Sequence, residues 1–171
     1  MLKTAAYVAS QVIPLEGEKV ILPNTAVAEI IGYSKPDSLP SAVEKSAPEW
    51  LQGMIKWRGV AVPLVSLEVM MGGLKSESHS RSRITVVNVM LENCGHSFFA
   101  FVTQGIPTLL RADNERMSVI DAADQESPGV ACHVVLEGEA AVIPDFDQIE
   151  KMLADVFMNN STKNKKNKPK K

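Results

Sequence analysis

Two apolar, β-prone runs, residues 54–57 and 60–67, are separated only by Arg58 and Gly59. So short a break around a glycine forces a hairpin with a tight turn, and the period-two alternation of strand side chains then fixes its register. It also places a guanidinium at the tip. Just upstream, residues 46–54 read as a short helix. Ser46, followed three residues later by Glu49, forms a capping box. Pro48 falls in the first turn, where its missing N–H costs nothing. Trp50, Leu51 and Met54 recur at helical spacing, and Gly53 suits a left-handed helix stop.

The rest of the chain is built of similar short pieces. Residues 5–15 and 19–22 flank the Glu16-Gly17-Glu18 turn and predict a first hairpin. Residues 26–33 fit a helical turn or a strand equally by spacing. Residues 35–45, with Pro36 and Pro40, read as a loop, and residues 68–74 as a helical turn ended by Gly72-Gly73. The serine-rich segment 75–83 reads as a linker between two similar halves. Beyond it, residues 84–91 and 96–102 predict a hairpin, residues 108–110 a short apolar piece, residues 121–128 an acidic loop, and residues 131–136 and 140–143 a last hairpin across Glu137-Gly138-Glu139. Ile149, Met152, Leu153, Val156 and Phe157 form one apolar helix face, and Asp145 or Asp147 can cap its start. About nine short strands with glycine turns and few helices predict a mainly β protein of small antiparallel barrels.

Composition narrows the function. No apolar run approaches the ~20 residues of a membrane-spanning helix, and the N-terminus has no signal-peptide pattern. Two cysteines without an export signal read as free thiols of a cytosolic protein. The formal charge of −2 divides unevenly, because the last thirteen residues carry six lysines and no acid, leaving −8 on the body. An acidic body with nine aromatic residues (two Trp, two Tyr, five Phe) argues against a nucleic-acid-binding barrel, the alternative that the basic tail raises. The tail itself predicts a disordered, solvated extension.

No catalytic constellation stands out. The chain lacks a Gly-x-Ser-x-Gly elbow and a phosphate-cradling glycine loop. Cys94 with His96 and Cys132 with His133 are the candidate metal pairs, and neither has ligand spacing. His79 falls in the linker, and Asp121, Asp124 and Glu126 in the acidic loop. We expect no enzyme activity, metal or cofactor.

Residues 51–67, LQGMIKWRGVAVPLVSL, resemble the central signature of CheW-like domains: apolar, any, Gly, two apolar, Asn, apolar, Arg, Gly, then a strand ending in Pro, two apolar residues, Asp and Leu. Lys56 stands in place of the Asn, Trp57 in place of the usual leucine and Ser66 in place of the Asp. Val27-Ala28-Glu29-Ile30 matches the family's Val-x-Glu-Ile, which resolves residues 26–33 as a strand. Residues 101–110, with Gly105-Ile106, resemble the Val-Asp-Gly-Val region of its second half. The similarity spans about residues 5–157.

It implies two SH3-like five-stranded β-barrel subdomains packed on each other, with short helices and a C-terminal helix folding back. The domain then covers residues 1–158, and residues 159–171 are tail. It further implies an adaptor that bridges the cytoplasmic tip of a chemoreceptor and the regulatory domain of a chemotaxis-type histidine kinase, beside membrane-bound receptor arrays but not inserted in the membrane. Positions matching Val27, Gly53, Arg58, Gly59 and Gly105 are associated with receptor docking, and Glu29 matches a charged residue beside them. The departures and the tail point to a divergent or auxiliary member. A module that binds only one of these partners is the nearest alternative.

Overall fold

The computed structural model describes residues 6–78, 80–92, 94–120 and 126–165. The order of strands is β1 (Val8–Pro14), β2 (Lys19–Pro23), β3 (Val27–Gly32), β4 (Leu51–Trp57), β5 (Val60–Val65), β6 (Arg83–Asn88), β7 (Phe98–Thr103), β8 (Thr108–Ala112), β9 (Met117–Ile120), β10 (Val130–Leu136) and β11 (Glu139–Pro144). Three helices join them: α1 (Ser41–Glu44), α2 (Leu67–Met70) and the long α3 (Phe146–Lys165). The protein is mainly β, with two sheets and a C-terminal helix, the two-subdomain SH3-like architecture expected.

One sheet has five strands in the order β3-β6-β7-β5-β4, and the other has six in the order β8-β1-β2-β11-β10-β9. Neighbours are antiparallel except β5 with β7 and β2 with β11, and these parallel joins tie distant stretches of the chain together. The five-stranded sheet uses the middle of the chain, and the six-stranded sheet uses both ends. The segment 75–83 therefore does not divide the chain into halves. It runs between strands that belong to one sheet.

Each sheet curls around a small core of its own, and a larger core lies between the sheets under α3. Ile55, Val62, Leu64, Ile84 and Val86 fill the five-stranded sheet, and Ile21, Leu110, Val134 and Ala141 fill the other. Leu22, Phe99, Phe101, Ile149 and Leu153 belong to the shared core. Along β7, Phe99 and Phe101 face the shared core while Ala100 and Val102 face the sheet's own core. Both faces of β6 and β7 are thus buried, which is why these strands read as nearly unbroken apolar runs.

Several local expectations change. Residues 46–54 are not a helix. The helical turn is α1, inside the segment expected to be a loop, and it ends before Ser46. β4 then begins at Leu51, with Leu51, Gly53, Ile55 and Trp57 buried in alternation. Pairing with β5 imposed a period of two, so the helical spacing of Trp50, Leu51 and Met54 was coincidental, and Glu49 is exposed. Gly53 accordingly stops no helix. β9 was not foreseen, since four residues carry too little pattern. Asp145 is the residue that caps α3, accepting the N–H of Gln148 at 3.0 Å. The helix runs past position 158 to Lys165, and residues 166–171 lie outside the described residues, as do His79, Asp121 and Asp124.

Candidate functional site

Trp57 pairs with Val60, so Arg58 and Gly59 make the whole turn between β4 and β5. Both have positive φ, +47° and +76°. That geometry matches the right-handed twist of the flanking strands. It holds the Arg58 side chain outward, 68% exposed.

The turn sits at a seam. β3 and β4 are the two outer strands of their sheet, and among the described residues no hydrogen-bonded ladder joins them. Each is bulged, β3 between Val27 and Glu29 and β4 between Leu51 and Gly53. Bulges blunt an open edge and re-aim side chains. Here Glu29 of β3 reaches across the seam. Its Oε2 accepts the Trp57 indole N–H at 2.8 Å and the Arg58 Nε–H at 3.1 Å, and Arg58 Nη2 lies 3.0 Å away. The guanidinium also stacks over the Trp57 ring at 4.8 Å. Trp57 in turn is 8% exposed and packs edge-on against Phe98 at 4.8 Å. An exposed ion pair is worth about 0–1 kcal/mol. A sheltered N–H to carboxylate bond is worth about 1.5–3 kcal/mol. The indole therefore anchors this clasp, and the arginine is held by it.

The other expected site residues fall in different places. Val27 opens β3 and is half-buried. Gly53 is buried, where a Cβ would stand 2.4 Å from the Asp37 carbonyl oxygen and 2.9 Å from Pro36 Cβ. It lets the 36–37 segment cross β4, where Asp37 and Met54 exchange backbone hydrogen bonds at 2.8 and 3.0 Å. Gly59 is exposed in the turn. Gly105 lies beyond the far end of β7, against Pro14 of the other sheet, with Pro14 Cγ 3.3 Å from its Cβ position. β5 and β7 are parallel with Leu64 level with Ala100, so the Arg58 turn precedes one end of the sheet and Gly105 follows the other. The structure thus brings Glu29, Arg58 and Gly59 together and leaves Gly53 and Gly105 as packing positions away from the tip. Trp57 was visible in the sequence only as a departure from leucine, and its place directly before Arg58-Gly59 was the usable signal.

Away from the seam, Glu150 on α3 is fully buried and its carboxylate accepts the N–H groups of Met90 and Leu91 at 2.9 and 2.6 Å. Sequence reading missed it, although Glu150, Leu153 and Phe157 share the i, i+3, i+7 spacing of the apolar face. Beside it, burial pushes the Cys94 thiol above its ordinary pKa, and its Sγ contacts the Glu150 carbonyl oxygen at 3.4 Å. Burial lowers the pKa of His96, whose ring meets Phe157 edge-on at 4.4 Å. A cavity of about 490 Å³ between the six-stranded sheet and the stretch around α2 is lined by residues that include Glu68, Met71 and His133. The Glu68 carboxylate there already takes the N–H of Glu16 and the hydroxyls of Ser66 and Ser76, at 3.3, 3.1 and 3.4 Å. Among the described residues no three metal-ligating side chains converge, and no helix is long and apolar enough to cross a membrane.

A family model described as the CheW-like domain matches residues 11–153. The chain belongs to the CheW-like domain family. The crystal structure of the scaffolding protein TtCheW from Thermoanaerobacter tengcongensis superposes with a TM-score of 0.66 at 16% identity, covering 85% of this chain and 88% of that one. At that identity the likeness speaks for the fold. No curated protein matches the chain. Members of the family are scaffolds rather than enzymes. Ser66, which stands where the signature has Asp, caps α2 by accepting the Val69 N–H on its side chain at 3.3 Å.

Proposed function

We propose that this CheW-like protein is a chemosensory adaptor of the cytoplasm that couples the cytoplasmic tip of a chemoreceptor to the regulatory domain of a chemotaxis-type histidine kinase at a receptor array. It turns over no substrate. It holds two signalling proteins in register so that a shift in one biases the other. The observation that carries this reading is Arg58, exposed at the tip of a hairpin yet fixed by Glu29 and Trp57. A pre-organised arginine loses little freedom on binding, which suits an interface anchor. Val27 and Gly59 complete the face around it, and Gly53 and Gly105 act by holding the backbone.

A second partner needs a second surface. The six-stranded sheet supplies apolar residues in the open: Val8 is 55% exposed, Leu109 80% and Val119 70%. Exposed apolar side chains on the two outer strands, β8 and β9, and on β1 beside β8 suit packing against another barrel, as the kinase regulatory domain offers.

The test is a titration of the full chain with a receptor-tip fragment and with the kinase regulatory domain, separately and together. Both should bind, and both at once. Arg58→Ala should leave the fold intact and weaken the receptor titration about tenfold or more, with kinase binding retained. Unchanged receptor affinity would remove Arg58 from the interface. Binding of one partner only selects the single-partner module.

A further inference from the structure

The clasp is asymmetric in a way that specifies what it can read. Among the described residues the two hydrogen bonds that the Glu29 carboxylate accepts, from Trp57 Nε1 and Arg58 Nε, both end on Oε2, and Arg58 Nη2 lies 3.0 Å from the same oxygen. Among the described residues, none of these bonds involves Oε1 of Glu29 or Nη1 of Arg58. The Glu29 and Arg58 side chains that carry them are 39% and 68% exposed. The site therefore presents one acceptor and one donor side by side, on an ion pair whose charges already cancel.

We propose that the Glu29–Arg58 pair, braced by Trp57, reads a neutral carboxamide, an asparagine or glutamine side chain of the receptor tip, rather than a carboxylate. This deepens the receptor-docking reading and rests on it. A carboxamide satisfies both groups at once: its oxygen accepts from Arg58 Nη1 and its nitrogen donates to Glu29 Oε1. A carboxylate leaves Oε1 without a donor and sets a second negative charge beside Glu29. An ammonium group leaves Nη1 without an acceptor and sets a second positive charge beside Arg58. Trp57 is the positioning residue. Its N–H pins Oε2, which leaves Oε1 for another donor, and its ring supports the guanidinium. The leucine usual at this position has neither an N–H nor a π face.

The experiment titrates the full chain with the cytoplasmic-tip fragment of a methyl-accepting chemoreceptor, changing each asparagine of the fragment to aspartate and each glutamine to glutamate in turn. At one position the change should weaken binding about tenfold or more. Glu29→Gln in this chain should restore most of that loss, because it supplies a donor where the new carboxylate lies and leaves Arg58 a net cation. Trp57→Phe should weaken binding to the unaltered fragment and add nothing once Arg58→Ala is present. Without any partner, the indole N–H resonance that vanishes in Trp57→Phe should also shift in Glu29→Gln, a response that a purely space-filling tryptophan lacks. If the fragment binds and no carboxamide position shows rescue by Glu29→Gln, the proposal falls and receptor docking stands. If the fragment fails to bind the unaltered protein, both fall.

Discussion

Gly53 and Gly59 flank the same arginine for different reasons. Gly59 needs its positive φ of +76° to close the turn, but a Cβ there meets nothing within 4 Å. Gly53 combines φ +146° with a backbone oxygen 2.4 Å from the Cβ position. Gly59→Ala should therefore cost about 1–2 kcal/mol of stability. Gly53→Ala should cost about 3 kcal/mol or more, since strain and a rigid backbone clash add. Urea unfolding of the two variants gives the ranking. Equal losses would mean that the Pro36–Asp37 crossing yields easily. Receptor binding lost in Gly53→Ala but recovered in a stabilised background would mark that glycine as scaffolding for Arg58 rather than as a contact.

At the level of elements, α3 is held by more than its apolar stripe. The Glu150 carboxylate binds two backbone N–H groups of the segment after β6. Glu150→Gln should cost about 1.5–3 kcal/mol, because hydrogen bonds to a charged acceptor are replaced by weaker ones and one amide N–H is misplaced. Thermal unfolding measures it, and a neutral result would show that water can take over. The same contact region holds the His96 ring under Phe157. Burial lowers the pKa of His96 from its ordinary 6.5, so the unfolded chain binds that proton more readily than the folded one. The stability contributed by the neutral ring is complete above the ordinary value and is lost as the pH falls from there through the lower folded value. His96→Phe should flatten the fall in stability that begins as the pH drops below about 6.5. A profile parallel to that of the unaltered protein would assign the fall to other groups.

For the whole molecule, the two sheets share the chain in an order that defeats a simple division. β1 and β2 pair with β8 and β11, and β3 and β5 pair with β6 and β7. Fragments 1–74 and 84–171, expressed apart, should each lack a cooperative unfolding transition, because each leaves both sheets incomplete. Mixed together, they should regain β-sheet circular dichroism and a single transition. A fragment that folds alone would show that one sheet is self-sufficient.

The sequence by itself determined what local spacing can encode: the Arg58-Gly59 hairpin, the first and last hairpins, the apolar face of α3, and, through the signature around them, the family. These depend on residues within one turn or one strand of each other, where periodicity and turn chemistry act directly. Only the tertiary structure decided the rest. It turned residues 51–53 from a helix end into the start of β4, because the pairing with β5 outweighs helical spacing. It distributed the strands between sheets through two parallel joins. It carried Glu29 across a seam to Trp57 and Arg58, and Glu150 into the core beneath residues 90–91. Each of these outcomes joins groups far apart in the chain, and their partners' backbone N–H and side-chain donors come together only once the barrels have closed.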